Sequence, residues 1–362
     1  MPDIDRFPLI EISGRPFERG LMYGEAAAER IARSVQIYAA ATRPMGKSGR
    51  LEQTLGEVHD LIIKFDPDYV DEMKGIAQGA GVTYEEILLI NARTEIVGLT
   101  RRPTAAPADE CTSVAVLPER SADGKYIQGQ NWDNRVACAD TVVILKVRLP
   151  DGFRLLTFVE AGGLARYGMN ANGICLNANG LESDRDYLQT GVPLSLIRRK
   201  ALEQRHFTPA LQIIVGTPKT CSCNILLGTQ EGFAVNIECA PDESFVAYPE
   251  NGATVHANHW INGAALAKLK DTGLSTMTDS VMRQWRMKQL VDNAGAKIGT
   301  EQLKACFADT FDSPYSLCRP ERHNSFGDLV ATTASIIMRP QDGVMEVART
   351  PYKAADYVPY TI

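Results

Sequence analysis

The 362-residue sequence holds only five histidines, three tryptophans and eight cysteines, and it has no excess of positive charge. Each shortage excludes something. Cysteine this sparse cannot build the disulfide framework of a small secreted scaffold, and a reducing compartment would keep the thiols free. His256 and His259 lie close together, but no thiol or acid accompanies them at zinc-ligand spacing, so neither a metal nor any other cofactor is expected. Lys and Arg total 38 against 44 Asp and Glu, a formal charge of −6 with no long basic block, so nucleic acid is not an expected partner. No run approaches the roughly 18 apolar residues needed to cross a bilayer, so no membrane attachment is expected. The first eight residues carry acids ahead of any apolar stretch and lack a basic leader pattern, which gives a cytoplasmic protein as the expectation.

What is present reads as an ordinary globular chain, 44% apolar and 23% charged. Its first hundred residues have helical periodicity over 15–43, 51–64, 67–79 and 83–98, the last opening with the capping box Thr83 and Glu86. From Cys111 onward the period changes from 3.6 to 2. Strand pairs are expected around Asp123-Gly124, Pro150-Asp151-Gly152, Asn172-Gly173 and Gln230-Glu231-Gly232. Helical patterning returns at 193–204, 209–215, 280–292 and 300–308; the last has Leu303 where a capping box would place an acid, and the chain closes on β. Two runs of hairpins separated by a helical block suit antiparallel sheets stacked face to face and covered by helices. No linker or composition break divides residues 1–362, which are expected to form one domain, and no internal repeat is evident.

The chain turns on Cys111. It follows a breaker-rich stretch, 101–108 with Pro103 and Pro107, and opens the alternating run Cys111-Thr112-Ser113-Val114-Ala115-Val116. A cysteine at the entry to a strand can be presented at a sheet edge as a reactive group, and it can equally be a small buried hydrophobe. Ser113, two residues on, shares its strand face. Gly129-Gln130-Asn131-Trp132-Asp133 forms a second block, and Val255-His256-Ala257-Asn258-His259 a third.

Those blocks, with Ile12-Ser13-Gly14-Arg15-Pro16-Phe17-Glu18-Arg19-Gly20, Leu88 to Glu95, Glu160-Ala161-Gly162 and Asn172-Gly173 in the same order, resemble the acyl-coenzyme A:isopenicillin N (6-aminopenicillanic acid) acyltransferase-like family of autoproteolytic cysteine N-terminal-nucleophile (Ntn) hydrolases. The resemblance spans roughly the whole chain. It implies an α+β fold, the four-layer αββα sandwich, and a precursor that cuts itself between Glu110 and Cys111 into 1–110 and 111–362, which then stay associated. By match to family positions Cys111 is the nucleophile, Asp133 orients its amine or the cleavage geometry, Asn258 offers its side-chain NH₂ to the oxyanion, and Ser113 aids processing. Glu110 departs from the glycine expected at its position. The family's basic residue near the C-terminal strands has no clear equivalent, Arg319 and Arg322 standing nearby without aligning.

An N-terminal cysteine carries nucleophile and base together. An α-amine has a reference pKa of about 7.7–8.0 against about 10.4 for lysine, so near neutrality it can take the thiol proton. The expected activity is an amidohydrolase or N-acyltransferase that cleaves or forms the amide of a small N-acyl compound through a thioester on Cys111, with acyl-coenzyme A a substrate if transfer dominates. A papain-like pair of Cys111 with His256 or His259, needing no chain cleavage, is an alternative. A non-catalytic binding protein that keeps the fold is another, against which the presence of Cys111 counts.

Overall fold

The structure, a computed structural model, describes residues 5–42, 50–100, 110–324 and 327–362. The breaker-rich stretch 101–108 lies outside the described residues, as does residue 43 at the expected end of the first helix.

Two sheets form the centre. The first runs β1 (Leu9–Ser13), β4 (Val142–Arg148), β5 (Arg154–Glu160), β6 (Tyr167–Asn170), β7 (Ile174–Gly180), β8 (Cys223–Thr229), β9 (Ala234–Cys239) and β10 (Ser244–Ala247). The second runs β11 (Ala253–His256), β2 (Glu110–Val116), β3 (Ile127–Arg135), β13 (Leu329–Arg339), β14 (Val344–Arg349) and β15 (Tyr357–Thr361), with β12 (Arg322–His323) paired to β13. The expected hairpins are all present, and among the described strands the only parallel pair is β1 with β4. The sheets face each other through β2, β3 and β7.

On the outer side of the first sheet lie α1 (Pro16–Thr42), α2 (Arg50–Phe65), α3 (Pro67–Ala80), α4 (Tyr84–Asn91), α5 (Arg93–Thr100), α6 (Leu194–Leu202) and α7 (Phe207–Gly216). After the short α8 (Gly263–Leu266), α9 (Asp279–Asn293) and α10 (Thr300–Phe307) cover the second sheet, where Met287, Val291, Leu303 and Phe307 bury Val114, Val116, Ile127 and Ile337. The order is helices, sheet, sheet, helices, the αββα sandwich that the resemblance implied. None of the described helices is long and apolar enough to cross a membrane.

Two local expectations are corrected. The periodic stretch 83–98 keeps its capping box, Thr83 Oγ1 accepting from the Glu86 N–H at 3.2 Å, but divides at Ala92 into α4 and α5. There Ser195 donates to the Asn91 carbonyl, which is drawn out of the helical ladder. At the start of α10 the glutamine Gln302 does what an acid would do, accepting the Gly299 N–H at 2.8 Å.

The layer between the sheets is polar near the end of β2. Ser113 donates to Asn179 Oδ1 at 2.8 Å, Gln128 to Asn177 at 3.0 Å, Gln130 to the Ala178 carbonyl at 3.0 Å and Asn236 to Thr254 Oγ1 at 2.6 Å. Side-chain amides that must pair across a dry layer fix one sheet's register on the other, because a slip strands buried donors.

Helices α1 and α3 pack at backbone contact through glycines. A Cβ on Gly75 would lie 2.2 Å from the Phe17 carbonyl oxygen, whereas one on Gly56 in α2 meets nothing within 4 Å. Gly75→Ala is therefore expected to force the helices apart at a cost of about 1–3 kcal/mol or more, while Gly56→Ala gains roughly 0.5–1 kcal/mol from helix propensity. Denaturant unfolding of both variants beside the parent checks this; equal effects would show that α1 and α3 do not meet at these glycines.

Candidate active site

Strand β11 ends at His256, opposite Ser113, two residues before it would reach Cys111. A strand residue points its N–H and C=O to the same side, so both polar groups of Cys111 face the place where β11 has run out. Side chains complete the edge. The Cys111 N–H donates to Asn258 Oδ1 at 2.8 Å, and Arg283 Nη1 on α9 donates to the Cys111 carbonyl at 2.8 Å. Arg283 also reaches Thr112 Oγ1 at 2.9 Å and Asn258 Oδ1 at 3.0 Å. Cys111, Asn258 and Arg283 are all fully buried.

These contacts define the Asn258 orientation. Its oxygen faces two donors, Cys111 N–H and Arg283, and its nitrogen donates to the Gly180 carbonyl at 3.1 Å; the flipped amide would set NH₂ against donors. One of the two N–H donors of the Asn258 amide is thus spent on Gly180, and an amide carries a second for the expected oxyanion role. Its oxygen, in addition, holds the nitrogen of Cys111.

The thiol points between the sheets, with Cys111 Sγ 3.4 Å from the Tyr167 hydroxyl on β6. Tyr167 lines a cavity of about 360 Å³ that also includes Gly180. Ser113 shares the inward face of β2, as its spacing predicts, and spends its hydroxyl on Asn179 and on the His256 carbonyl at 3.3 Å.

Asp133 lies opposite Glu110 in the β2–β3 ladder. It does not contact the Cys111 nitrogen: its carboxylate accepts from Thr332 Oγ1 at 2.6 Å and faces Arg319 Nε at 3.5 Å. Burial pushes the Asp133 carboxyl up, against the pull of Arg319 and Arg283. Glu110, where the resemblance led to the expectation of a glycine, sits among three guanidinium groups, Arg319 at 2.6 Å, Arg283 at 3.3 Å and Arg322 at 3.9 Å. Asp279, ion-paired to both Arg283 and Arg319, completes the cluster; burial favours its neutral form, but the two arginines hold its carboxyl below the ordinary range. Against the cost of its own burial, Glu110, Asp133 and Asp279 hold Arg319 firmly protonated. Breaking one such buried pair by removing a partner typically costs about 3–5 kcal/mol.

The two histidines are committed elsewhere. His256 Nε2 meets Glu238 at 2.9 Å and its Nδ1 meets the Ala257 carbonyl at 2.9 Å, so both ring nitrogens are turned to oxygen partners and not to the thiol. His259 Nδ1 pairs with Ser280 Oγ at 2.8 Å, and Ser280 Oγ accepts the Asn258 N–H at 2.7 Å. His259 therefore braces Asn258 from behind. Among the described residues no group of three His, Cys, Asp or Glu is placed to hold a metal ion.

Sequence reasoning missed Arg283 and Tyr167 and left Arg319 unaligned. Arg283 is spaced i, i+4 from Asp279, a pattern that reads as an ordinary helix-surface pair.

The model of the acyl-coenzyme A:6-aminopenicillanic acid acyl-transferase family matches residues 120–349. Over 320 residues the chain is 28% identical to the 40 kDa form of acyl-coenzyme A:6-aminopenicillanic-acid-acyltransferase from Emericella nidulans, covering 86% of this chain and 84% of that protein. Among solved structures, a variant of conjugated bile acid hydrolase from Clostridium perfringens matches with a TM-score of 0.49 at 13% identity, over 69% of this chain and 92% of that one. The Caenorhabditis elegans ortholog of N-acylethanolamine-hydrolyzing acid amidase matches with a TM-score of 0.45 at 16% identity, over 70% and 100%.

Burial, with the charges of His256 and Arg283, lowers the pKa of His259 from 6.5 to about 4. The unfolded chain then binds a proton between these values that the folded chain does not, so His259 contributes stability that is complete above pH 6.5 and lost as pH falls towards 4. His259→Gln is expected to flatten that part of the stability–pH curve. Urea unfolding between pH 4 and 7 checks it, and parallel curves for parent and variant would contradict the neutral, buried ring.

Proposed function

The chain belongs to the acyl-coenzyme A:6-aminopenicillanic acid acyl-transferase family, and from that premise we propose that it is a self-processing amidohydrolase or N-acyltransferase whose nucleophile is Cys111. The observation that carries the reading is the capture of the Cys111 N–H by Asn258 Oδ1 at a strand edge completed by side chains, with the thiol directed toward Tyr167 and the cavity.

In the processing step the thiol of Cys111 adds to the Glu110 carbonyl carbon. The C–S bond forms, the C–N bond breaks, and the thiol proton ends on the departing nitrogen, now an α-amine. Water then hydrolyses the thioester, returning the thiol and leaving a carboxylate on Glu110. Fragments 1–110 and 111–362 stay together without a disulfide, because helices before the junction and strands after it share one core.

In turnover the freed amine, held by Asn258, takes the thiol proton, and the thiolate attacks the scissile carbonyl of an N-acyl compound. The proton passes to the leaving amine. Water or a second amine then relieves the thioester, giving hydrolysis or transfer; acyl-coenzyme A would load the same sulfur by thioester exchange. The papain-like alternative is disfavoured because the ring contacts of His256 and His259 are directed to other groups.

The test uses an N-acyl 4-nitroanilide and an acid quench. Peptide mapping is expected to find the acyl group on Cys111, and Cys111→Ala is expected to abolish both acylation and anilide release. Asn258→Asp keeps an acceptor for the amine but adds charge beside it, so the rising limb of the pH–rate profile is expected to move to higher pH. An acyl group on any other residue, or full turnover in Cys111→Ala, would overturn the reading.

A further inference from the structure

All eight cysteines are buried free thiols, and two of them meet. Cys223 opens β8 and Cys239 closes β9, directly opposite each other in the antiparallel ladder. Opposed residues of such a ladder have Cα atoms about 4.5–5.5 Å apart and side chains on one face, within the roughly 4.4–6.8 Å that a disulfide spans. The two thiols hydrogen-bond to each other. Cys239 Sγ is further placed by the Ser244 hydroxyl at 3.5 Å and the Ile237 carbonyl at 3.6 Å.

Access and charge set this pair apart from the other cysteines. Cys223 lines the cavity of about 360 Å³, through which a small reagent can reach a sulfur otherwise sealed in the core. The charge of Lys219 acts on both sulfurs. Its ammonium, buried at the end of α7, donates to the Ile214 and Thr217 carbonyls at 2.6 and 2.8 Å, and among the described residues no carboxylate stands within ion-pair distance of it. The hydrogen bond from Cys223 draws the Cys239 thiol below its ordinary range against the cost of burial, helped by Lys219 and Ser244. Thiolate character is what makes a cysteine reactive, and a neighbouring lysine raises it. Cys221 shares the cavity, but burial and the charge of Glu95 push its thiol up, and burial alone does the same to Cys175.

We propose that Cys223 and Cys239 are a redox-active dithiol, a modification site that opens off the cavity and that hydrogen peroxide closes to a disulfide. Cys223, on the cavity wall, reacts first. Its sulfur bonds to one peroxide oxygen as the O–O bond breaks, and the other oxygen leaves as water with the thiol proton, which makes Cys223 a sulfenic acid. Cys239 then attacks the Cys223 sulfur. The S–S bond forms, the S–O bond breaks, and the second oxygen leaves as water with the Cys239 proton. Two thiols are oxidised and one peroxide is reduced, giving one disulfide and two waters. The bond draws the Cys223 sulfur off the cavity wall toward β9, and an added dithiol reverses it by exchange. Nothing in this step requires Cys111 to be the nucleophile of the enzyme.

Peptide mapping of the full purified chain, with and without hydrogen peroxide and with the remaining thiols alkylated on unfolding, tests this. Cleavage after Glu231 and Glu238 puts the two cysteines on separate peptides. Peroxide is expected to join those peptides, lighter by two hydrogens than their summed masses, with loss of the alkylatable thiol at both positions, and dithiothreitol to restore them. Because Cys221 shares a peptide with Cys223, Cys221→Ala is expected to keep the link and Cys223→Ala to lose it. Cys111→Ala is expected to form the link as the parent does. The parent treated in urea is expected to give mixed pairings among its cysteines, and the folded parent one. Thiols that persist at Cys223 and Cys239 in the peroxide-treated parent, a link that survives Cys223→Ala, or the same mixture of pairings from folded and unfolded chains would overturn the proposal.

Discussion

The site depends on a strand edge finished by side chains instead of by another strand. With β11 ended at His256, the N–H and C=O of Cys111 would be orphaned in a dry layer, a cost of about 1–3 kcal/mol for each group left unpaired. Asn258 and Arg283 take them, at 2.8 Å each. The same constraint explains why Asn258 is braced so thoroughly, by Arg283 on its oxygen, Gly180 on its nitrogen and Ser280 on its backbone. An edge made of side chains can hold a peptide nitrogen before a cut and an amine after one without the sheet rearranging, because no ladder partner has to let go.

The charges around Glu110 follow from its place at the start of β2. Its carboxylate, Asp133 across the ladder and Asp279 on α9 are set against Arg283, Arg319 and Arg322, acids and bases balanced in a largely buried cluster. The glutamate that looks like a departure from the family's glycine is thus a structural counter-ion here. In the proposed cleavage the Glu110 side chain, on the first fragment, keeps its ion pairs to Arg283 and Arg319 of the second, which helps to keep the two fragments together.

Much of the frame was legible because it is local. Hairpin turns at Asp123-Gly124 and Asn172-Gly173, the Thr83 capping box, and the shared face of Cys111 and Ser113 are consequences of residues a few positions apart. The block from Gly129 to Asp133 also acquires a reason: a Cβ on Gly129 would lie 2.7 Å from Phe307, Asn131 ties α10 by donating to the Phe307 carbonyl at 2.8 Å, and Trp132 packs edge-on against Phe158. What escaped reading is what the fold brings from afar. Tyr167, Arg283 and Arg319 reach the junction from β6, α9 and the approach to β12, and nothing in their own neighbourhoods distinguishes them from core or surface residues. The break at Ala92 escaped for a related reason, since its cause is Ser195, on another helix.

The claim on which the rest of this account stands is that the peptide bond held open by Asn258 is the one the protein cuts. Intact-mass spectrometry of the purified chain, denatured without reductant and again with it, tests this most directly. The account predicts two species corresponding to residues 1–110 and 111–362, whose masses sum to that of the whole chain plus one water, and a single uncut species when Cys111 is replaced by alanine. A single full-length species from fully active protein, or a cut that persists in Cys111→Ala, would contradict it.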